Sequence, residues 1–183
     1  TVKKKSVIII LLCWLVYICA ELGRQNYNII KVEIISDLSM SKSEAGLVSS
    51  CFFVAYGLGQ LINGILCKKY NSKIAIFIAL SFSIIPNILM AVNQNPSMMK
   101  YIWGANGLIQ SMIWSSIIRI EADYLSDKML AVSVVFLSTT NALGKLIVSG
   151  ISAYCIYIAN WRLAFYIGAV ALATMAVLWI VGI

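Results

Sequence analysis

Six long apolar stretches, each bounded by a few polar or charged residues, leave this chain little choice of fold. A helical crossing of a bilayer needs roughly 20 mostly apolar residues, because the hydrocarbon core is about 30 Å thick and a helix rises about 1.5 Å per residue. The stretches fall at about 6–30, 43–67, 74–93, 98–120, 130–158 and 162–183. They are long and unbroken, unlike the alternating segments of about 10 residues that build a membrane β-barrel. We therefore expect an all-α membrane protein with six crossings. Composition agrees: charged residues make up 11% of the chain, against about 25% in a soluble domain.

The net charge of +7 is not a nucleic-acid signal, because the basic residues sit at span ends. Lys3, Lys4 and Lys5 precede the first span, Lys68, Lys69 and Lys73 follow the second, and Lys128 follows the fourth. The opposite loops carry Lys31, Lys42, Lys100 and Arg162. The lysine-rich side is the expected cytoplasmic side, so the N-terminus is expected inside, in an inner or plasma membrane. The first stretch continues past Glu21 without a small-residue cleavage pattern, so it does not read as a cleavable signal. The chain opens on Thr1 and stops at Ile183 within an apolar run; we expect it to be part of a longer protein. Cys13, Cys19, Cys51, Cys67 and Cys155 lie within spans at no metal-ligand spacing, and histidine is absent. They read as small packing residues, and no metal or other cofactor is implied. No phosphate-cradling glycine loop or histidine base suggests an enzyme.

The first span carries ionised groups at membrane depth. Tyr17, Glu21, Arg24 and Asn28 recur at intervals of 4, 3 and 4, so a continuous helix puts them on one face. Charges in such positions usually face a bundle interior or a water-filled path and mark a binding or transport site. A guanidinium offers a planar fork of donors suited to phosphate or carboxylate. Two readings of Arg24 stand: a ligand for an anionic substrate, or a structural ion pair with Glu21. Glu21 in turn is either a proton carrier or the structural partner of Arg24.

Other spans add polar groups. Span two places Tyr56, Gln60 and Asn63 on one face, and Ser41 with Glu44 forms a capping-box pattern at its start. Pro86 and Asn87 predict a kink in span three or freed backbone groups for a neighbour to satisfy. Span four carries a small-residue stripe, Gly104, Gly107, Ser111 and Ser115, for close packing, with Gln110, Trp114 and Arg119 beside it. Glu121, Asp123 and Asp127 read as an acidic loop after it. Span five places Asn141 and Lys145 close to one face; Lys145 is either a second anion contact or a lysine reaching toward the interface. Trp161 and Tyr166 suit an interfacial aromatic belt.

Together these patterns resemble the N-terminal half of a major facilitator superfamily transporter, and within it the organophosphate:phosphate antiporters. Tyr17-x-x-x-Glu21-x-x-Arg24 occupies the place of a Tyr-x-x-x-Tyr-x-x-Arg whose arginine binds substrate phosphate. Ala55-Tyr56-Gly57 matches an Ala-Tyr-Gly whose tyrosine lines the cavity. Gly107-x-x-Gln110-Ser-Met112-x-Trp114 with Arg119, the Asn141-x-x-Gly144 pair and Asn160-Trp161-Arg162 follow family patterns in spans four, five and six. Departures accompany them: Glu21 replaces a cavity tyrosine, Gln60 a cavity lysine, Thr140 a histidine and Lys68 a loop aspartate.

The resemblance implies two inverted three-helix repeats, a second six-helix half on the same chain or in a second copy, and alternating access. It also implies exchange of a phosphorylated metabolite for inorganic phosphate. Arg24, Tyr17, Tyr56, Gln60, Asn141 and Lys145 would then form the substrate site, and Glu21, Arg119 and Lys68 a coupling or charge-relay set. Lys68 or Lys69 is expected to pair with Glu121, Asp123 or Asp127 as a charge-reversed latch. Alternatives are a proton-coupled carboxylate symporter using Glu21, a non-transporting membrane sensor of sugar phosphates, or a structural subunit.

Overall fold

A computed structural model describes residues 2–66 and 69–182. These residues form seven helices: α1 (Val2–Leu22), α2 (Asn26–Asp37), α3 (Lys42–Leu66), α4 (Ser72–Val92), α5 (Pro96–Tyr124), α6 (Asp127–Tyr157) and α7 (Arg162–Gly182). No strand occurs among the described residues. α1 and α2 make one span, Lys5–Asp37, and with α3, α4, α6 and α7 give five spans long and apolar enough to cross a membrane. α5 has the length, 29 residues. Its lower apolarity follows from Asn106, Gln110, Ser111, Ser115 and Ser116 along its middle.

The starts and stops have local causes. Ser41 and Glu44 form the expected capping box: the Glu44 N–H donates to Ser41 Oγ at 3.1 Å, and the Ser41 N–H donates to Glu44 Oε2 at 2.9 Å. Asn71 caps α4 by accepting from the Lys73 N–H at 2.9 Å. Asn95 caps α5 with Pro96 in its first turn. α5 runs to Tyr124, so Glu121 and Asp123 are helical and not loop residues.

Along α5 the small residues meet α3 as expected. A side chain at Gly107 would overlap the backbone carbonyl of Phe52, so its absence sets the α3–α5 distance. One turn on, Asn63 donates to Ser111 Oγ at 2.9 Å. At the far end, Arg162 donates to the carbonyls of Ala91 (2.8 Å) and Asn93 (3.0 Å), and the Trp161 indole N–H donates to Asp37 at 3.0 Å. Trp161 is buried with its ring edge-on to Phe165. Its ring is thus taken up by packing at this end of the bundle.

Two apolar clusters stack along the bundle axis. One joins Cys13, Val16, Ile76, Leu80, Ile117 and Leu172, at the lysine-rich end. The other joins Tyr27, Ile34, Phe52, Met90, Trp103 and Phe165, at the opposite end. Between them, at one level in the first span, α4 and α5, lie the buried polar residues Glu21, Arg24, Asn26, Asn87, Asn106 and Gln110. The fold thus encloses a polar layer between two greasy ones, and of its members Glu21 belongs to α1, Arg24 to the α1–α2 break and Asn26 to α2.

Candidate functional site

The polar layer is organised by a break in the first span. The Arg24 N–H bonds to Glu21 O at 3.2 Å, and the Tyr27 N–H turns to the side chain of Asn26 at 2.8 Å. Gly23 O therefore loses its ordinary helical partner. Two side-chain amides replace it: Asn87 Nδ2 from α4 at 3.0 Å and Asn106 Nδ2 from α5 at 2.9 Å. Asn87 accepts in turn from Asn26 Nδ2 at 3.1 Å. Side chains inserted into a helical ladder are a known cause of such breaks. A buried carbonyl without a partner would cost about 1–3 kcal/mol, so the two amides are what make the break tolerable inside the protein.

The break presents Arg24. Its guanidinium is bound by Glu21 Oε1 through Nη2 and donates from Nη1 to the Tyr56 hydroxyl at 3.2 Å. It lies over the Tyr17 ring, 4.7 Å from the centroid, and 5.4 Å from that of Tyr56. Gln60 Nε2 donates to the same Tyr56 hydroxyl at 2.9 Å. Tyr17 is braced edge-on by Trp114, with centroids 5.1 Å apart. Arg24 is 6% exposed and Glu21 1%. Glu21 rests on Gly144 of α6, where an added Cβ would come within 2.8 Å of Glu21 Cγ. The second carboxylate oxygen of Glu21 is buried with no partner among the described residues. Arg24 has five N–H donors, so the two contacts above leave capacity for an incoming anion.

The structure brings Arg24, Glu21, Tyr17, Tyr56 and Gln60 together as one set. Asn141 and Lys145 flank Gly144 on the exposed side of α6, one turn apart, and make no hydrogen bond to Arg24. Thr140 is fully buried and donates to Leu137 O at 2.5 Å. Asn28 leaves the Arg24 set: the break turns it to Gln25 (3.3 Å) and Ser49 (3.0 Å). Arg119 sits at the lysine-rich end of α5, paired with Asp123 at 3.5 Å, away from the polar layer. Glu121 is buried and accepts from Ser133 Oγ at 2.5 Å. Thus Asp123 and Glu121 face Arg119 and Ser133, and neither is paired with Lys69. Lys68 and Cys67 lie outside the described residues.

Among the described residues no group of acidic, cysteine or histidine side chains is placed to hold a metal. The geometry offers a fixed cation in a protein-lined layer with aromatic walls, a hydroxyl and a carboxamide. Donors of this kind, a guanidinium fork beside a hydroxyl, have the chemistry that suits an anion.

The sequence model for the Major Facilitator Superfamily matches residues 13–183. This chain belongs to that superfamily. Within it, the chain is 22% identical to the probable hexose phosphate transport protein of Chlamydia trachomatis serovar D over 151 residues, 82% of this chain and 33% of that protein. It is 28% identical to the membrane sensor protein UhpC of Escherichia coli K12 over 108 residues, 59% of this chain and 24% of that protein. The chloroplastic ascorbate transporter of Arabidopsis thaliana is 29% identical over 69 residues, 38% of this chain and 13% of that protein. The chain spans about a third of the length of the Chlamydia relatives it matches. The superfamily expected from the motifs is the one found, and relatives named for hexose phosphate transport agree with its organophosphate branch.

Residue-by-residue reading missed the Asn26–Asn87–Asn106 clamp. Asn87 was visible beside Pro86, but its partner Gly23 lies 64 residues away. Asn106 sits between Gly104 and Gly107 and reads as part of a packing stripe. Nothing in its own neighbourhood indicates that it caps the first span.

Proposed function

We propose that this chain is the N-terminal six-helix half of a secondary transporter for a small organic anion, a phosphorylated metabolite exchanged for inorganic phosphate by alternating access. One observation carries the reading: Arg24 is buried in the middle of the bundle, at a helix break, within a layer of polar groups. An intramembrane charge of this kind is functional by default, and transporter sites commonly form near the midplane at interrupted helices.

In this reading α5 is the sixth crossing, and α1/α2–α3–α4 and α5–α6–α7 are two three-helix repeats. The lysine-rich end, with Lys5, Lys69, Lys73 and Lys128, faces the cytoplasm of an inner or plasma membrane. A second six-helix half closes the cavity against α3 and α6. Those two helices bury only 22% and 28% of their most apolar stretches, against 44–50% for the other three spans. A side chain at Gly57 of α3 would meet nothing within 4 Å, which leaves room for a close neighbour there. Asn141 and Lys145 on α6 would then meet the substrate from the side, with Tyr17, Tyr56 and Gln60 shaping the Arg24 end. Arg119, Lys68 and Glu21 would belong to the switching between states.

The complete transporter, reconstituted in vesicles preloaded with phosphate, is expected to take up labelled hexose phosphate and release phosphate in step. Vesicles without internal phosphate should take up at least ten-fold less. Binding of hexose phosphate with no net uptake would overturn transport and favour the sensor reading, which the likeness to UhpC supports. Uptake that follows a proton gradient and not internal phosphate would favour a carboxylate symporter working through Glu21.

A further inference from the structure

Beside the first turns of α4, the last turn of α5 and the described ends of α1 and α7, the helix packing leaves a cavity of about 420 Å³. Lys5 and Lys73 stand around it, and Ile8, Ile9 and Ile120 form its apolar wall. Tyr124 lines the same cavity, with its ring centroid 4.7 Å from the Lys73 ammonium. Lys73 also heads a second depression of about 180 Å³, lined by Ile74, Phe77, Trp179 and Ile180. Its backbone is fixed on both sides: its N–H donates to Asn71 at 2.9 Å, and its carbonyl accepts the Trp179 indole N–H at 2.9 Å. The lysine is therefore anchored where a basic mouth joins a greasy groove.

Neither Lys5 nor Lys73 forms an ion pair among the described residues. Of the acids nearest in sequence to Tyr124, Glu121 accepts from Ser133 at 2.5 Å, and Asp123 is paired with Arg119 at 3.5 Å in a neighbouring depression that Lys73 and Tyr124 also line. Two cations thus converge on a cavity whose described lining carries no carboxylate. A free anion would satisfy them and leave the isoleucine wall and the groove uncovered. An amphiphile with a negative head satisfies both. Basic pockets between membrane helices at the cytoplasmic face suit anionic headgroups, and tyrosine is favoured at that depth.

We propose that Lys5, Lys73 and Tyr124 bind the headgroup of an anionic phospholipid, with an acyl chain lying along Ile74, Phe77 and Trp179. The site lies at the rim of the bundle and is separate from the Arg24 layer. It ties α1 to α4, α5 and α7 at the rim of the apolar cluster that these helices share at this end. It depends on the membrane embedding of the chain and not on the transport reading.

The test is retention of phosphatidylglycerol against phosphatidylcholine by the detergent-purified, full-length protein, read by native mass spectrometry. One phosphatidylglycerol is expected to be held in preference. A lysine at the membrane surface contributes a factor of about five, so the Lys5→Gln/Lys73→Gln pair should lower retention roughly 25-fold. Lys69→Gln/Lys128→Gln, on the same face but outside the cavity, should change it no more than two-fold, and Lys73→Arg should keep it. Phe77→Trp, which leaves both lysines in place and crowds the groove, should also lower it. Equal losses from the two lysine pairs would reduce the effect to general surface charge and overturn the site. So would unchanged retention in the Lys5/Lys73 pair or in Phe77→Trp, or displacement of the lipid by millimolar inorganic phosphate.

Discussion

Arg24→Gln is expected to abolish phosphate binding and to destabilise the bundle by about 3–5 kcal/mol, because it leaves Glu21 buried without its partner. The carboxylate of Glu21 is bound by Arg24 at one oxygen and by nothing described at the other. Adding Glu21→Gln removes the stranded charge, so the double variant should recover most of the lost stability. It should not recover binding, because the fork of donors is still missing. Thermal unfolding in detergent and phosphate titration of the two variants separate these effects. An ion pair that served structure alone would let the double variant bind phosphate as the wild type does.

Gly107→Ala should have the second-largest effect. The added methyl would run into the Phe52 carbonyl, with the Phe52 carbonyl carbon and Cα both at 3.2 Å. These are backbone atoms and cannot swing aside, so α3 has to move off α5. Overpacking of this kind costs about 1–3 kcal/mol. The displacement also reaches the site, because Tyr56 lies one turn along α3 from Phe52 and receives both Arg24 and Gln60. We expect lower stability and weaker phosphate binding together. Gly46→Ala, at a position with nothing within 4 Å, is the control and should lower neither. Loss of stability with unchanged phosphate affinity would show that the α3–α5 spacing does not set the Tyr56–Arg24 contact.

Much of the fold was legible because the membrane imposes it. Apolar length marked the spans, Ser41 with Glu44 marked the start of α3, and the small residues of α5 marked the face that meets α3. The Arg24–Glu21 pair was legible for the same reason, since a charge within an apolar run is conspicuous. What escaped was whatever depends on a distant partner. The first span contains no proline and reads as one helix, yet it breaks at Gly23–Gln25 because amides from α4 and α5 take over its carbonyl. That break removes Asn28 from the face it shares with Arg24 in a continuous helix. Glu121 looked like a loop acid beside Asp123, and only its contact with Ser133 of α6 explains its burial. Trp161 suited the interface by type, and its bond to Asp37, 124 residues away, was not visible in its neighbours.

A structure of the complete transporter with bound hexose phosphate tests most directly whether Arg24 receives the cargo. The account predicts phosphate oxygens within about 3 Å of the guanidinium, with Glu21 released from it and Tyr17 and Tyr56 still flanking. Phosphate bound elsewhere, with Arg24 still held by Glu21 and Tyr56, would contradict it.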